Sequence, residues 1–280
     1  MQRLAGRKAL VTGASRGIGA AIAERLAAEG ADVVITARTV DRHDHLAGSL
    51  NETVERCRRY GTRVTAVAAD LADPASRARI VPEALEALGG SIDVLVNNAA
   101  AAIYGPMLDY TAKRARLSVE VNVFAPVELT QAVVPGMVER GEGWVVNVSS
   151  ATARHAPGPP FRTSGVSAKI GFYGATKAAL NRVTNAFAVE LHGLGVRINT
   201  VEPRAAVLSE GADALVGGTL HADQIESMEA MVEAVLALCD CGPDRTGQVF
   251  VSLDLLDELG ATVMNLDGRS PFPGGQRPVA

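Results

Sequence analysis

The 280-residue sequence predicts an α/β fold: one domain built on a doubly wound parallel sheet, with helices on both faces. Three observations carry this. Short β-rich runs alternate along the chain with longer helical patterns. The short runs are almost continuously apolar, as strands buried on both faces are. A glycine-rich turn, TGASRGIG (12–19), lies between the first run and the first helical pattern.

The elements follow in order. KALVT (8–12) is the first strand, and a helical pattern over 18–29 ends at Gly30, a residue type suited to a helix C-terminus. DVVITA (32–37) is the second strand. A polar helix over about 46–60 leads to the third, TRVTAVAAD (62–70). IDVLVNN (92–98) and GWVVNVSS (143–150) are the fourth and fifth, GVRINTVEP (195–203) and GQVFVS (247–252) the sixth and seventh. Right-handed crossovers place the intervening helices on both sides of the sheet. Residues 1–264 read as one domain, and the Pro/Gly-rich stretch 265–280 reads as an irregular tail.

Composition narrows the function classes. The formal net charge is −4, and no lysine–arginine run forms a stripe, so nucleic acid is not an expected partner. No signal-peptide pattern opens the chain and no uninterrupted apolar run reaches membrane-spanning length, so no membrane association is expected. Three cysteines, Cys57, Cys239 and Cys241, suit a reducing, cytoplasmic compartment. His43 and His45 lack nearby ligands and read as solvated loop residues, so no metal is expected.

The glycine turn is the first chemical signal. Gly13, Gly17 and Gly19 permit a tight turn and close backbone approach, and the helix N-terminus behind them offers amides and a positive dipole end to a pyrophosphate. Ser15 and Ile18 lie in the same turn. The second strand ends in TAR, with no carboxylate before Asp41 to take the ribose hydroxyls of NAD. Arg38 there, and Arg16 in the turn, suit a 2′-phosphate, because guanidinium forks match phosphate oxygens. The expected cofactor is therefore NADP(H).

TGASRGIG, NNAA (97–100), VNV around Asn122, NVSS (147–150), YGATK (173–177) and INTVEP (198–203) occur together and in order. In this combination the chain resembles the short-chain dehydrogenase/reductase family across residues 8–252. The resemblance implies a single Rossmann domain with a seven-stranded sheet. It also implies hydride transfer between NADP(H) and a carbonyl or secondary alcohol. Tyr173 is then the general acid/base, and Ser150, second of the serine pair, bonds the substrate oxygen. Lys177 holds the nicotinamide ribose, and Asn122, on the long helix after the fourth strand, holds a water in the proton relay. Asp70, with Leu71 beside it, accepts from the adenine amino group. Asn97 ties neighbouring strands, and Asn98, Ala99 and Pro203 line the cofactor. Family members are commonly homo-oligomers, so a tetramer, or else a dimer, is expected.

Tyr173 and Lys177 are four apart and share a helix face. A free phenol titrates near pH 10, about three units too high for easy exchange, and an ammonium beside it should lower that value. Two departures from the family pattern stand out. Arg204 replaces the usual glycine after Pro203, with Leu208 where a threonine is expected, so the loop must shift or bear strain. Residues 154–165, RHAPGPPFRTSG, lengthen the connection between Ser150 and Tyr173. The inserted loop reads as part of the pocket rim, with Phe161 contacting substrate, facing a lid over about 205–227. Two other readings stay open: an NADP-binding sensor or scaffold with weak catalysis, and a lyase or epimerase using the same tyrosine.

Overall fold

The computed structural model describes residues 2–41, 47–161, 168–210, 212, 221 and 224–278. Seven parallel strands form one sheet in the order β3-β2-β1-β4-β5-β6-β7. They are β1 (Lys8–Thr12), β2 (Asp32–Ala37), β3 (Val64–Ala68), β4 (Val94–Asn97), β5 (Gly143–Val148), β6 (Val196–Glu202) and β7 (Val249–Val251). The fold is the single Rossmann-type domain that the apolar runs predict. The order reverses between β1 and β4, which opens a crevice above their C-terminal ends.

Two apolar layers sandwich the sheet. One face packs α1 (Gly17–Ala28), α2 (Leu50–Arg58), α7 (Met228–Leu238) and α8 (Ser252–Leu259). The other packs α3 (Pro74–Leu88), α5 (Ala125–Arg140) and α6 (Gly171–Glu190). Local chemistry trims the expected elements. The polar helix starts at Leu50 because Ser49 caps it, its Oγ accepting from Glu52 N at 3.2 Å. The third strand stops at Ala68 because the chain turns at Asp70, whose N–H donates to Ser76 Oγ at 2.9 Å.

A short helix, α4 (Ala112–Val119), runs through a π-helical turn, Glu120–Phe124, into α5. The continuous stretch Ala112–Arg140 is long and apolar enough, by length and composition, to cross a membrane, which the sequence reading did not anticipate. Its apolar residues serve two sides. Leu129, Val133 and Met137 are buried against the sheet, while Leu117 and Phe124 are exposed.

The C-terminal stretch is irregular yet docked. Phe272 packs on the core and its N–H donates to Val263 O at 2.8 Å. Ser227 Oγ donates to Gly275 O at 2.8 Å, and Gln276 Nε2 donates to Asp257 at 2.7 Å. These bonds fasten the tail to the segment that enters α7, to α8 and to the chain just after α8.

Candidate active site

The glycine turn lies at the crevice. Gly13 has φ +68°, and a Cβ on it would meet Ala99 Cα at 2.7 Å; a Cβ on Gly19 would meet the Asn98 amide at 2.3 Å. The glycines thus let the turn and the segment that follows β4 close on each other. Thr12, which sequence reasoning passed over, completes the junction. Its Oγ1 accepts from both Asn98 N and Ala99 N at 3.1 Å. Arg16 at the start of α1 makes no side-chain cap, and the first turn of α1 carries no acidic residue. The amides there remain donors for an anion, with the helix dipole behind them.

From this turn one cavity of about 450 Å³ runs toward β2 and β3, lined by Gly13, Ser15, Arg38, Asp70, Leu71 and Ala99. A second, of about 510 Å³, runs toward β5 and α6, lined by Ile18, Ser150, Tyr173, Lys177 and Pro203 among others. Arg16 and Asn98 border both. An elongated cleft with a glycine-walled helix N-terminus at its middle fits a dinucleotide. Arg16 is less free than expected: Nε and Nη2 donate to Ala47 O and Gly48 O at 2.8 and 3.0 Å. Asp70 uses one carboxylate oxygen on Ala72 N, at 2.9 Å. Arg77 is a further residue the sequence did not advertise. Buried on α3, it donates to Leu71 O at 2.6 Å and to both Glu128 oxygens at 2.8 Å, and it pairs with Glu120 at 2.7 Å. It therefore ties the wall beside Asp70 to the π turn that carries Asn122.

Ser150 follows β5, and its Oγ accepts from Thr152 N at 3.2 Å and from Thr152 Oγ1 at 2.9 Å. With those acceptor positions filled, its own proton is left to donate. Ser149 differs: its N–H joins β6 by donating to Val201 O at 2.8 Å. The turn after Ser150 fits closely against α6, because a Cβ on Gly174 would strike Thr152 O at 2.3 Å. This contact holds Ser150 beside Tyr173. Asn97 bonds Asn147 across β4 and β5, Nδ2 to Oδ1 at 2.8 Å.

Tyr173 and Lys177 share the buried face of α6. Lys177 Nζ donates to Val148 O at 2.7 Å and lies 5.8 Å from the Tyr173 ring centroid. The expected downward pull on the phenol is not what this geometry produces. Burial pushes the Tyr173 pKa up, the nearby Tyr104 phenol adds to the rise, and a hydrogen bond with Ser150 only partly offsets it. Lys177 is itself lowered to about 8 by burial. Desolvation is the leading cause for both groups.

Asn122 is held by its side chain. It sits in the π turn and is fully buried. Its Oδ1 accepts from Ala101 N at 2.7 Å, and its Nδ2 donates to Ala101 O at 3.2 Å and Thr176 Oγ1 at 3.0 Å. The side chain is committed to clamping the 99–102 loop against α6, which leaves little of it for a relay water.

Arg204 carries no backbone strain, because no described non-glycine residue has positive φ. Its N–H donates to Glu226 at 2.8 Å, and Ala205 N donates to the same carboxylate oxygen at 3.2 Å. Ser252 Oγ donates to Glu226 at 2.8 Å, and the Arg204 guanidinium pairs with Asp254. Ala206 bridges to Ile225, so the two feet of the 205–227 segment are joined. Residues 211, 213–220 and 222–223 of that lid fall outside the described residues, as do 162–167 of the inserted loop and both His43 and His45. Phe161 does not line the cleft. It is 58% exposed, and its ring folds over Gly158, where a Cβ would meet it at 2.5 Å. Arg154 instead anchors the loop, pairing with the buried Glu202. Among the described residues, no cluster of three or more His, Cys, Asp or Glu is placed to hold a metal.

Comparisons with known proteins agree with this fold. The family model for short chain dehydrogenases matches residues 7–213. The oxidoreductase UcpA of Escherichia coli (strain K12) is 32% identical over 275 residues, covering 98% of this chain and 97% of that protein. A short chain dehydrogenase from Mycobacterium thermoresistibile superposes with a TM-score of 0.79 at 27% identity, over 99% of this chain and 95% of that one. Another, from Burkholderia cenocepacia J2315 in complex with NADP, does so with a TM-score of 0.73 at 33% identity, over 89% and 97%.

Proposed function

Because the chain belongs to the short-chain dehydrogenase family of oxidoreductases, we propose that it is an NADP(H)-dependent carbonyl reductase or alcohol dehydrogenase with Tyr173 as its general acid/base. One observation carries the reading: Ser150, Tyr173 and Lys177 line a single cavity that opens onto the glycine-walled N-terminus of α1. Bound there, the nicotinamide dinucleotide supplies or accepts the hydride. Gly13, Gly17, Gly19 and the first amides of α1 hold its pyrophosphate, Arg38 a 2′-phosphate, and Asp70 and Leu71 the adenine end. Asn98, Ala99 and Pro203 border the path between.

Ser150 and Tyr173 then meet the substrate oxygen. Ser150 donates the proton that its two contacts with Thr152 leave free. Tyr173 gives its proton as negative charge develops on that oxygen, and takes one back in the reverse direction. The raised phenol pKa keeps Tyr173 protonated at neutral pH, which favours reduction. Lys177, an ammonium below about pH 8, supports the phenolate as it forms. Asn122 positions the loop between cofactor and substrate.

The assay is NADPH oxidation with a panel of ketones and aldehydes. Steady turnover of at least one member is expected. Tight NADPH binding with no turnover would favour the sensor reading, and product without cofactor turnover the lyase or epimerase. A homo-oligomer, tetramer or dimer, is also expected, because Leu117, Phe124 and Val189 expose apolar surface on the helices that carry Asn122 and Tyr173. Light scattering at micromolar concentration should exceed the 29.1 kDa of one chain; a monomer alone would reject the assembly.

A further inference from the structure

Tyr104 brings a second phenol into the carbonyl site. It lies on the connection between β4 and α4 and lines the cavity that holds Ser150 and Tyr173. Its ring meets Tyr173 edge-on, with centroids 5.6 Å apart and planes at 61°. The chain on either side is fixed. Ile103 O accepts from the Tyr110 hydroxyl at 3.0 Å, and Gly105 N donates to Lys169 O at 2.8 Å. Tyr110 in turn stacks on Phe172, with centroids 4.7 Å apart. The segment that carries Tyr104 is therefore braced on the first turn of α6, the same turn that carries Tyr173.

No described residue hydrogen-bonds the Tyr104 hydroxyl, and burial raises its pKa, so it enters the site as a neutral phenol. A carbonyl oxygen has two lone pairs. Ser150 and Tyr173 fill both. The Tyr104 phenol, its ring packed against Tyr173 and lining the same cavity, is then left for another atom of the substrate. A hydroxyl covered by substrate and left unmatched is costly, so the site discriminates against substrates that offer it nothing.

We propose that Tyr104 is a specificity-determining residue, its hydroxyl hydrogen-bonding an oxygen on the carbon next to the reacting carbonyl, so that the site selects α-hydroxy ketones over plain ketones of the same shape. This rests on the carbonyl-reduction reading above. The test uses 3-hydroxybutan-2-one and 3-methylbutan-2-one, which differ by a hydroxyl in place of a methyl group. Their kcat/KM values with NADPH are measured in the unmodified enzyme and in Tyr104→Phe, which keeps the ring and removes the hydroxyl. Thermal melting and NADPH affinity check that the variant is folded and loaded.

The expected result is a ratio of hydroxy ketone to plain ketone that falls about tenfold in the variant, the size of one net hydrogen bond. An equal loss on both substrates would assign Tyr104 to packing alone and overturn the proposal. So would a ratio that does not move. Absence of turnover with both substrates and with the whole carbonyl panel would sink the carbonyl reading itself, and the Tyr104 assignment with it.

Discussion

Tyr173→Phe is expected to lower kcat by about 10² to 10⁴, the usual contribution of a general acid or base, while NADPH affinity stays close to that of the parent. The ring fills the same space, its edge-on contact with Tyr104 survives, and Lys177 keeps its bond to Val148. Only the proton donor is lost. The pH dependence has a definite sign. Burial holds the phenol above its ordinary pKa, so Tyr173 remains protonated and able to donate through neutral pH. Lys177 titrates at about 8, and above that value the charge that supports the developing phenolate is gone. Reduction should therefore be flat from pH 6 to 7.5 and decline above about 8. Lys177→Arg, which stays charged, should move that decline upward even if its rate is lower. Wild-type kcat in the Phe variant would remove Tyr173 from the mechanism; a decline unmoved by Lys177→Arg would remove Lys177 from the pH profile.

What could be read in the sequence was whatever depends on local pattern. Apolar runs such as DVVITA announce strands buried on both faces, and the turn after KALVT announces a helix N-terminus facing a ligand. The four-residue step from Tyr173 to Lys177 places both on one helix face. What could not be read depends on partners remote in the chain. The direction of the Tyr173 pKa was misjudged because spacing shows a charge nearby but not the desolvation of both groups. That Ala101 and Thr176 would occupy the Asn122 amide has no local signature either. Arg204 looked strained because Glu226, which receives its N–H from 22 residues away, had no visible link to it. Phe161 looked like a pocket wall because its fold over Gly158 depends on the path of a proline-rich turn. Tyr104 and Arg77 belong to no short motif, and Thr12, although it opens TGASRGIG, shows its bonds to Asn98 and Ala99 only in the packed structure.

Arg38→Asp is expected to invert the cofactor preference. Arg38 is exposed at the end of β2 and borders the cavity with Ala37, Thr39 and Asp70. The TAR stretch that ends β2 carries no carboxylate to accept from a ribose diol, and a guanidinium there is matched to a 2′-phosphate. Arg16 is the weaker partner, because Nε and Nη2 already donate to Ala47 O and Gly48 O. It can help only through Nη1, through the second N–H of Nη2, or by giving up those bonds. A charge-assisted contact to phosphate is worth roughly 1.5–3 kcal/mol, so losing Arg38 should lower kcat/KM for NADPH by about ten- to a hundredfold. Arg16→Ala should cost less through phosphate contact, although it also releases the 47–48 backbone. The aspartate supplies the missing acceptor for the ribose hydroxyls and repels the phosphate, so NADH efficiency should rise in the same variant. Because Arg38 is solvent-accessible, added salt should weaken NADPH binding more than NADH binding in the unmodified enzyme. Initial rates with both cofactors at two salt concentrations decide the matter: equal kcat/KM for NADPH and NADH in the unmodified enzyme would mean that Arg38 is a solvated surface residue and that neither arginine selects the cofactor.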